Sequence, residues 1–278
     1  MPSRNFAHPD LQAAATPTRR SSWAVLRSVV FALSLRELKT RLDGRWGGVV
    51  WVVGEPLLNT LGMLAVYSAM RAKTVAGVDT LLFLVSGQLP YLLFRSLVLR
   101  LMEAIDANLG LFGYRQVQPV DAVIARAVVE LLVFGAVMGT SLAVLGWMGY
   151  AVLPHRPLEL VAALVLLTAI GTSLGLFMAV GTAGPLNRLR GLVTMCMLPV
   201  YVSSGALIPL ANLPVGLQEA FLHNPIAHLL DLLRQALLGP SYQAIPNADW
   251  SLPIAWALAT VLVALMLYRA RRYRLQMG

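Results

Sequence analysis

One short segment of this sequence carries the residue types that usually contact another protein. It lies inside the stretch from Met102 to Asp121, which is too polar to cross a membrane and too long for a simple turn. Exposed apolar groups beside aromatic and arginine side chains are typical of docking surfaces. We therefore predict a docking loop, and the alternative is a loop folded back on the protein. Its residues are Leu109, Leu111, Phe112, Gly113, Tyr114, Arg115 and Gln116.

The sequence contains no motif that would supply chemical energy. It lacks the GxxxxGK[ST] pattern that holds a nucleoside triphosphate, the HExxH zinc motif and any CxxC pair. The single cysteine, Cys196, lies in an apolar run and is expected to be a packing residue. Proton-coupled transport would need several buried acids, and Glu55 and Glu130 are the only candidates. We expect no cofactor or metal on this chain, so a transporter of this kind needs a driving partner.

The composition indicates that lipid surrounds most of the chain. Of its 278 residues, 58% are hydrophobic and 13% are charged, against roughly 45–50% and 25% in a soluble domain. Six apolar segments are long enough to cross roughly 30 Å of hydrocarbon. We predict an all-α polytopic membrane protein with six transmembrane helices. The spans are Gly47–Met70, Asp79–Val98, Val120–Tyr150, Leu158–Gly181, Gly191–Leu210 and Leu252–Tyr268.

The basic residues indicate the orientation. The chain has 22 Lys and Arg residues and a net charge of +9. All but Arg71, Lys73, Arg156 and Arg234 fall on one side of the predicted spans, and Arg95, Arg100, Arg115 and Arg126 are counted around the second loop. Cytoplasmic loops carry such an excess, so both termini are expected in the cytoplasm. No basic patch remains for a nucleic acid once these flanks are assigned.

Two segments outside the spans have distinctive patterns. Residues 22–42 form an amphipathic helix with Arg36, Glu37 and Lys39, which is typical of a helix lying in the membrane interface. It is either a generic anchor or also a contact for a cytoplasmic partner. Residues 1–21 are polar and are predicted to be a disordered cytoplasmic N-terminus.

The second such segment is an outer one at 203–240, after the fifth span. It stays apolar past Pro209 although a straight helix should end there, and this favours a broken, re-entrant element. Its marked residues are Ser204, Gly205, Pro209, Asn224, Pro225, His228 and Arg234. In the third span, Arg126 and Glu130 are spaced for a helical ion pair.

Three motifs resemble those of ABC-2 type permeases, and within them the capsular polysaccharide export permeases of Gram-negative bacteria. The first is Leu35-Arg36-Glu37-Leu38-Lys39-Thr40-Arg41 with Gly48, Trp51 and Glu55-Pro56. The second, the most specific, is Asn108-Leu109-Gly110-Leu111-Phe112-Gly113-Tyr114-Arg115-Gln116-Val117 with Pro119 and Asp121. The third is Ser204-Gly205, Pro209 and Leu213-Pro214 with Asn224-Pro225, His228 and Arg234. The resemblance covers residues 22–275 as one transmembrane domain.

The resemblance implies a homodimer in the inner membrane, bound to two copies of an ABC ATPase subunit that holds ATP and Mg. The 102–119 loop and the amphipathic helix would be the coupling elements. The substrate would be a lipid-linked acidic polysaccharide, received by a periplasmic polysaccharide co-polymerase and an outer-membrane exporter. Aromatic rings stack on sugars, so Trp51, Tyr67, Tyr91 and Phe94 are candidates to line the path. The alternatives are an ABC-2 permease for O-antigen, teichoic acid or a small molecule, and a secondary transporter.

Overall fold

A computed structural model describes residues 22–42, 47–70, 73–113 and 117–276. The N-terminal residues 1–21 therefore lie outside the described part of the chain. A two-residue antiparallel pair, β1 (Thr74–Val75) and β2 (Val78–Asp79), precedes α3. The described helices are α1 (Ser22–Leu42), α2 (Gly47–Ala69), α3 (Thr80–Met102), α4 (Pro119–Trp147), α5 (Pro157–Gly181), α6 (Leu189–Ser203), α7 (Val215–Phe221), α8 (Pro225–Leu238) and α9 (Ser251–Gln276).

Each predicted span overlaps a helix, although the fifth extends past the end of α6 at Ser203. Within the described residues, four of these helices are long and apolar enough to cross a membrane. These are α3, α4, α5 and α9. The prediction of a polytopic helical protein is confirmed to that extent. Helix α6 has 15 residues, about 22 Å of helix at 1.5 Å per residue, which is shorter than the roughly 30 Å hydrocarbon layer. The count of six spans and the re-entrant character of the outer segment stay predictions.

Helix α3 is the centre of the bundle. It packs against α2, α4, α5 and α8, and most of its side chains are buried. Small residues allow the closest of these approaches, because a Cβ at Gly175 of α5 would lie 2.6 Å from the backbone oxygen of Leu97. Such close packing is how helices associate where lipid gives no hydrophobic driving force.

Local sequence signals fix where the main helices begin. Asp79 caps α3, since its Oδ1 accepts from the backbone N–H of Leu81 at 2.8 Å. Gln118 and Asp121 form a capping box at the start of α4, where Pro119 occupies the first turn. Asn224 caps α8 as Asp79 caps α3, because its side chain accepts from the backbone N–H of Ile226. These caps place the polar ends of α3, α4 and α8 at defined residues.

The chain breaks after α6 and turns back through α7 into α8. Gly205 has a φ of +71°, a conformation that glycine adopts without steric cost. Helix α8 is then buried on almost every side, against α3, α5 and α9. The chain is therefore broken after α6, and its return helix is buried in the bundle.

Candidate functional site

A polar cavity of about 460 Å³ lies between α2, α3 and α4. Helix α2 presents Trp51, Glu55 and Asn59 to it, and this spacing of four residues puts all three on one helix face. The remaining lining residues are Arg41, Pro56, Leu92, Arg95, Ser96, Leu99, Arg100, Glu130 and Val133. The cavity therefore combines an aromatic ring, several cations and two acids.

Arg95 lies inside helix α3, although its charge was counted with those around the second loop. Helix α3 continues to Met102, so Arg95 sits seven residues before its end, about 10 Å along the helix. Its side chain is exposed and forms no ion pair or hydrogen bond with another described residue. A cation within a spanning helix is expensive and usually serves a ligand or an ion path. Arg95 is therefore the principal functional candidate in the cavity.

The other polar groups of the cavity have distinct roles. Gln88 donates to Oδ1 of Asn59 at 2.9 Å, and this leaves the amide N–H groups of Asn59 as donors. Glu55 is exposed and forms no ion pair with a described residue. Trp51 is 62% exposed and offers a flat apolar face with one N–H donor. The cavity can thus bind an anionic group at Arg95 beside a surface suited to a sugar ring.

An ion-pair cluster joins α1 to α3 and α4 at the edge of this cavity. Glu130 pairs with Arg41 and, at 3.5 Å, with Arg100. Arg126 pairs with Glu37 at 3.3 Å. The predicted ion pair between Arg126 and Glu130 is therefore wrong. Glu130 pairs instead with Arg41, which is 89 residues away in sequence, and Arg126 pairs with Glu37. The cluster fixes the C-terminal half of α1 on the bundle.

The predicted docking loop is only partly exposed. A 3-10 turn covers Asp106–Leu111, Leu109 at its tip is 47% exposed, and Leu111 is half-buried. The expectation that Phe112 faces water is wrong, because its ring packs in a core cluster with Leu101 and other residues of α3, α4 and α5. Gly113 is exposed.

The remaining coupling candidates divide into three groups. Tyr114, Arg115 and Gln116 lie outside the described residues. Arg36 and Lys39 of α1 are exposed and free to contact a partner. Glu37 is half-buried and engaged in the ion-pair cluster.

Sequence reasoning missed the attachment of this loop to α6. Arg190, at the start of α6, pairs with Asp106 and donates from Nε to Oγ1 of Thr182 at 3.2 Å. Thr182 directly follows α5. No sequence signal reveals this contact, because Asp106 and Arg190 are 84 residues apart. A single arginine thus links the loop, the end of α5 and α6.

Arg234 organises the outer segment. It is fully buried on α8, and its guanidinium donates to the carbonyl oxygens of Gly205 (2.7 Å), Ala206 (3.0 Å) and Phe83 (3.2 Å). It also lies 3.8 Å from the ring centroid of Phe83. The break after α6 frees carbonyl groups that no helix satisfies, and Arg234 provides their donors.

Other marked residues of the outer segment complete this arrangement. Tyr67 of α2 donates to the carbonyl oxygen of Leu207. Asn224 donates to Oγ of Ser203 at 2.9 Å, and the Ser204 hydroxyl donates to the carbonyl oxygen of Tyr201 at 2.8 Å. Pro209 is the extended residue before a short 3-10 turn, and Pro225 begins α8. These contacts make the segment a structural unit and bring no catalytic group into it.

The two acids and the histidine near α8 are also structural. His228 donates from Nε2 to the carbonyl oxygen of Leu222 at 2.8 Å, and its Nδ1 accepts from the N–H of Asp249 at 3.0 Å. Burial raises the pKa of the Tyr242 phenol, so it stays protonated and donates to Asp231 at 2.7 Å. All of these polar groups are satisfied within the chain.

The aromatic candidates for a substrate path differ in exposure. Tyr91 is buried, stacks on Tyr201 at 4.4 Å between ring centroids, and donates to the carbonyl oxygen of Met197 at 2.6 Å. Phe94 is buried in the same cluster. Tyr67 is half-buried, and only Trp51 presents most of its ring.

Comparisons with known proteins agree over nearly the whole chain. Residues 28–238 match the model of the family described as ABC-2 type transporter. The chain is 32% identical to the polysialic acid transport protein KpsM of Escherichia coli, over 91% of this chain and 96% of that protein. It is 28% identical to the capsule polysaccharide export inner-membrane protein CtrC of Neisseria meningitidis serogroup B, over 78% and 82%. It is 26% identical to the corresponding protein BexB of Haemophilus influenzae, over 80% and 83%.

Proposed function

Because this chain belongs to the ABC-2 type transporter family, we propose that it is the permease subunit of an ATP-driven exporter that moves capsular polysaccharide across the bacterial inner membrane. The end-to-end similarity to KpsM carries this proposal, since it extends through the coupling loop, the spans and the outer segment. The names of KpsM, CtrC and BexB supply the substrate class. The chain acts as a transport subunit, and ATP hydrolysis occurs on a separate protein.

The assembly we propose contains two copies of this chain and two ABC ATPase subunits that bind ATP and Mg. Both termini lie in the cytoplasm, and α1 lies in the inner membrane interface. Apolar side chains exposed on α2 and α6, such as Leu61, Leu192 and Leu198, are available for contact with a second copy or with lipid. The exported polymer is acidic and lipid-linked, and a periplasmic co-polymerase and an outer-membrane exporter receive it.

The ATPase contact we propose uses the exposed part of the cytoplasmic loop. Leu109 and Gly113 form the docking tip, and Arg36 and Lys39 contribute from α1. Tyr114, Arg115 and Gln116, which lie outside the described residues, stay candidates from the sequence motif alone. Phe112 has the different role of anchoring the loop, because its ring is buried in the bundle. Glu37 anchors α1 through Arg126. A movement of the ATPase would therefore be transmitted to the spans through two contacts, the buried ring of Phe112 and the ion pair of Glu37 with Arg126.

Replacing Leu109 with aspartate should reduce co-purification of the ATPase subunit about thirtyfold. Loss of one apolar hot-spot residue costs about 2 kcal/mol of binding, which corresponds to that factor in affinity. The assay is affinity capture of the tagged permease from membranes, followed by quantification of the bound ATPase. Leu153→Asp is the matched control, because Leu153 is 82% exposed in the loop between α4 and α5, on the proposed outer side. Equal ATPase recovery in both variants would remove the docking role of the loop.

The cavity at Arg95 is our proposed entry site for the acidic substrate. The Arg95 guanidinium can bind a phosphate or carboxylate in a two-pronged geometry, Asn59 adds N–H donors, and Trp51 packs on a sugar ring. The acid at Glu55 repels the same anion and weakens its retention. An exporter must also release its cargo, and one opposing charge near the cation serves that purpose.

Substitutions at Arg95 and Glu55 should therefore change substrate binding in opposite directions. We expect Arg95→Gln to lower surface polysaccharide at least about tenfold, because a charge-assisted hydrogen bond is worth about 1.5–3 kcal/mol. Glu55→Gln should bind the polymer more tightly than the unmodified protein. Surface polysaccharide is measured on whole cells, and binding is measured with purified lipid-linked polymer and the detergent-solubilised complex. Arg156→Gln, an exposed arginine of the α4–α5 loop, is the control. Export at the normal level by Arg95→Gln would exclude this cavity as the entry site.

A further inference from the structure

A second groove, of about 480 Å³, runs between α1 and α4 and is apolar along its length. Helix α1 contributes a stripe with a spacing of four residues, formed by Trp23, Arg27, Phe31 and Leu35. Helix α4 contributes a second stripe with the same spacing, formed by Ile124, Val128 and Leu132. Residues spaced by four share a helix face, so the groove is the seam between two aligned faces.

The groove walls are left uncovered by the described part of the chain. Trp23 is 73% exposed, Phe31 is 63% exposed and Leu132 is 60% exposed. Contiguous exposed apolar surface of this kind marks a binding surface or lipid contact. Ser34 satisfies its hydroxyl internally by donating to the carbonyl oxygen of Ala125 at 3.3 Å. The groove walls therefore favour a hydrocarbon chain over a polar ligand.

The depth of the groove argues for lipid rather than a soluble protein. Helix α4 begins at Pro119 and is one of the four helices suited to cross a membrane. Leu132 lies thirteen residues later, about 20 Å along the helix. Because α4 is suited to span the membrane, the part of the groove that lies within the bilayer is open to an acyl chain and closed to a water-soluble partner.

Arg27 is the feature that selects a lipid headgroup. Its side chain is exposed and has no ion pair or hydrogen bond among the described residues. The other cations at the α1–α4 contact, Arg41 and Arg126, are already paired with Glu130 and Glu37. A guanidinium is well shaped for phosphate, and a basic interface helix attracts anionic lipid. An arginine without a partner among the described residues, beside a groove that can hold an acyl chain, thus matches the headgroup and the tail of an anionic lipid.

We propose that the α1–α4 groove is a binding site for one anionic phospholipid, whose acyl chain lies in the groove and whose phosphate binds Arg27. The lipid would hold α1 against α4 beside the Glu37–Arg126 and Arg41–Glu130 ion pairs, which attach the other half of α1. The inference depends on the membrane location of α4 and not on the polysaccharide assignment. Lipid occupancy is therefore measurable whatever the exported substrate is.

The test counts lipids on the intact permease–ATPase complex. The complex is reconstituted in nanodiscs that contain phosphatidylglycerol and phosphatidylcholine with identical acyl chains, and retained lipids are counted by native mass spectrometry. We expect the unmodified protein to retain one phosphatidylglycerol per permease chain in preference to phosphatidylcholine. The Arg27→Gln variant should not show this preference. The ratio of the two lipids should fall at least about tenfold: both headgroups carry a phosphate, but only phosphatidylcholine adds a cation that Arg27 repels, and this difference in net charge is lost in the variant.

A second variant tests the groove itself. Val128→Trp fills the seam and should remove the retained lipid whatever its headgroup. The matched controls are Arg188→Gln, an exposed cation between α5 and α6, and Val165→Trp on the exposed face of α5. Both should retain lipid as the unmodified protein does. An unchanged headgroup preference in Arg27→Gln, or an unchanged lipid count in Val128→Trp, would overturn the proposal. The Arg27 result decides the matter if Val128→Trp does not assemble, because Arg27 is exposed and not needed for packing.

Discussion

Replacing Gly87 with alanine should abolish accumulation of the folded permease. A Cβ at Gly87 would lie 1.8 Å from Nη2 and 2.5 Å from Cζ of Arg234. An arginine on the surface would swing away, but Arg234 is fully buried and its guanidinium is held by three backbone carbonyl oxygens. Moving it would leave those carbonyls unpaired at about 1–3 kcal/mol each. The expected result is loss of most of the protein from the membrane fraction.

The measurement is the amount of monodisperse permease recovered in detergent, with its thermal unfolding midpoint. Gly135→Ala is the matched control, because Gly135 lies in the spanning helix α4 and a Cβ there meets no atom within 4 Å. Normal yield and an unchanged midpoint for Gly87→Ala would show that Arg234 can leave its site freely. The outer segment would then be held by its other contacts, among them those of Tyr67 and Asn224.

The arrangement around Arg234 also explains why its environment was not predictable from sequence. The pattern indicated a charge on the outer side of the membrane, where an arginine normally meets water. In the structure the break at Gly205 frees backbone carbonyls next to α3, and a buried donor is needed to satisfy them. A cation paired with carbonyls and the Phe83 ring has no sequence signature, because its partners are distant along the chain.

Features that depend on local periodicity were predictable. The amphipathic residues 22–42 coincide with α1, and each apolar segment overlaps a helix. Such features follow from the chain's own neighbours and from the thickness of the bilayer, so one sequence is sufficient to find them.

Features that depend on tertiary competition were not predictable. Arg126 and Glu130 have the right spacing for a helical pair, yet each finds a partner on α1. Phe112 has the composition of a docking residue, yet a short 3-10 turn directs it into the bundle. In each case the outcome is decided by which distant group reaches the side chain.

Reversing the charge at Arg190 should separate ATP hydrolysis from export. In the mutant Arg190→Asp, two carboxylates face each other where Arg190 and Asp106 now pair, and the bond from Arg190 to Thr182 is lost as well. Both members of the pair are less than one-third exposed, so water screens the repulsion only partly. We expect export to fall at least about tenfold, because like charges at this distance cost more than the 1.4 kcal/mol that corresponds to a factor of ten. Recovery of the ATPase should stay normal, since Leu109 at the loop tip is unaffected.

The double variant Asp106→Arg/Arg190→Asp gives the decisive comparison. It restores an ion pair of opposite polarity and should recover at least half of the lost export, which a merely destabilised protein would not do. Arg188→Asp is the control, because Arg188 is an exposed cation two residues earlier and forms no ion pair among the described residues. The readouts are ATPase rate and transport in the reconstituted complex. Normal export by Arg190→Asp would show that the pair of Arg190 and Asp106 is a packing contact with no role in coupling ATP hydrolysis to export. Failure of the double variant to recover would transfer the coupling role to the two bonds from Arg190 to Thr182, which reach its Oγ1 and its carbonyl oxygen, because both stay broken when the charges are exchanged.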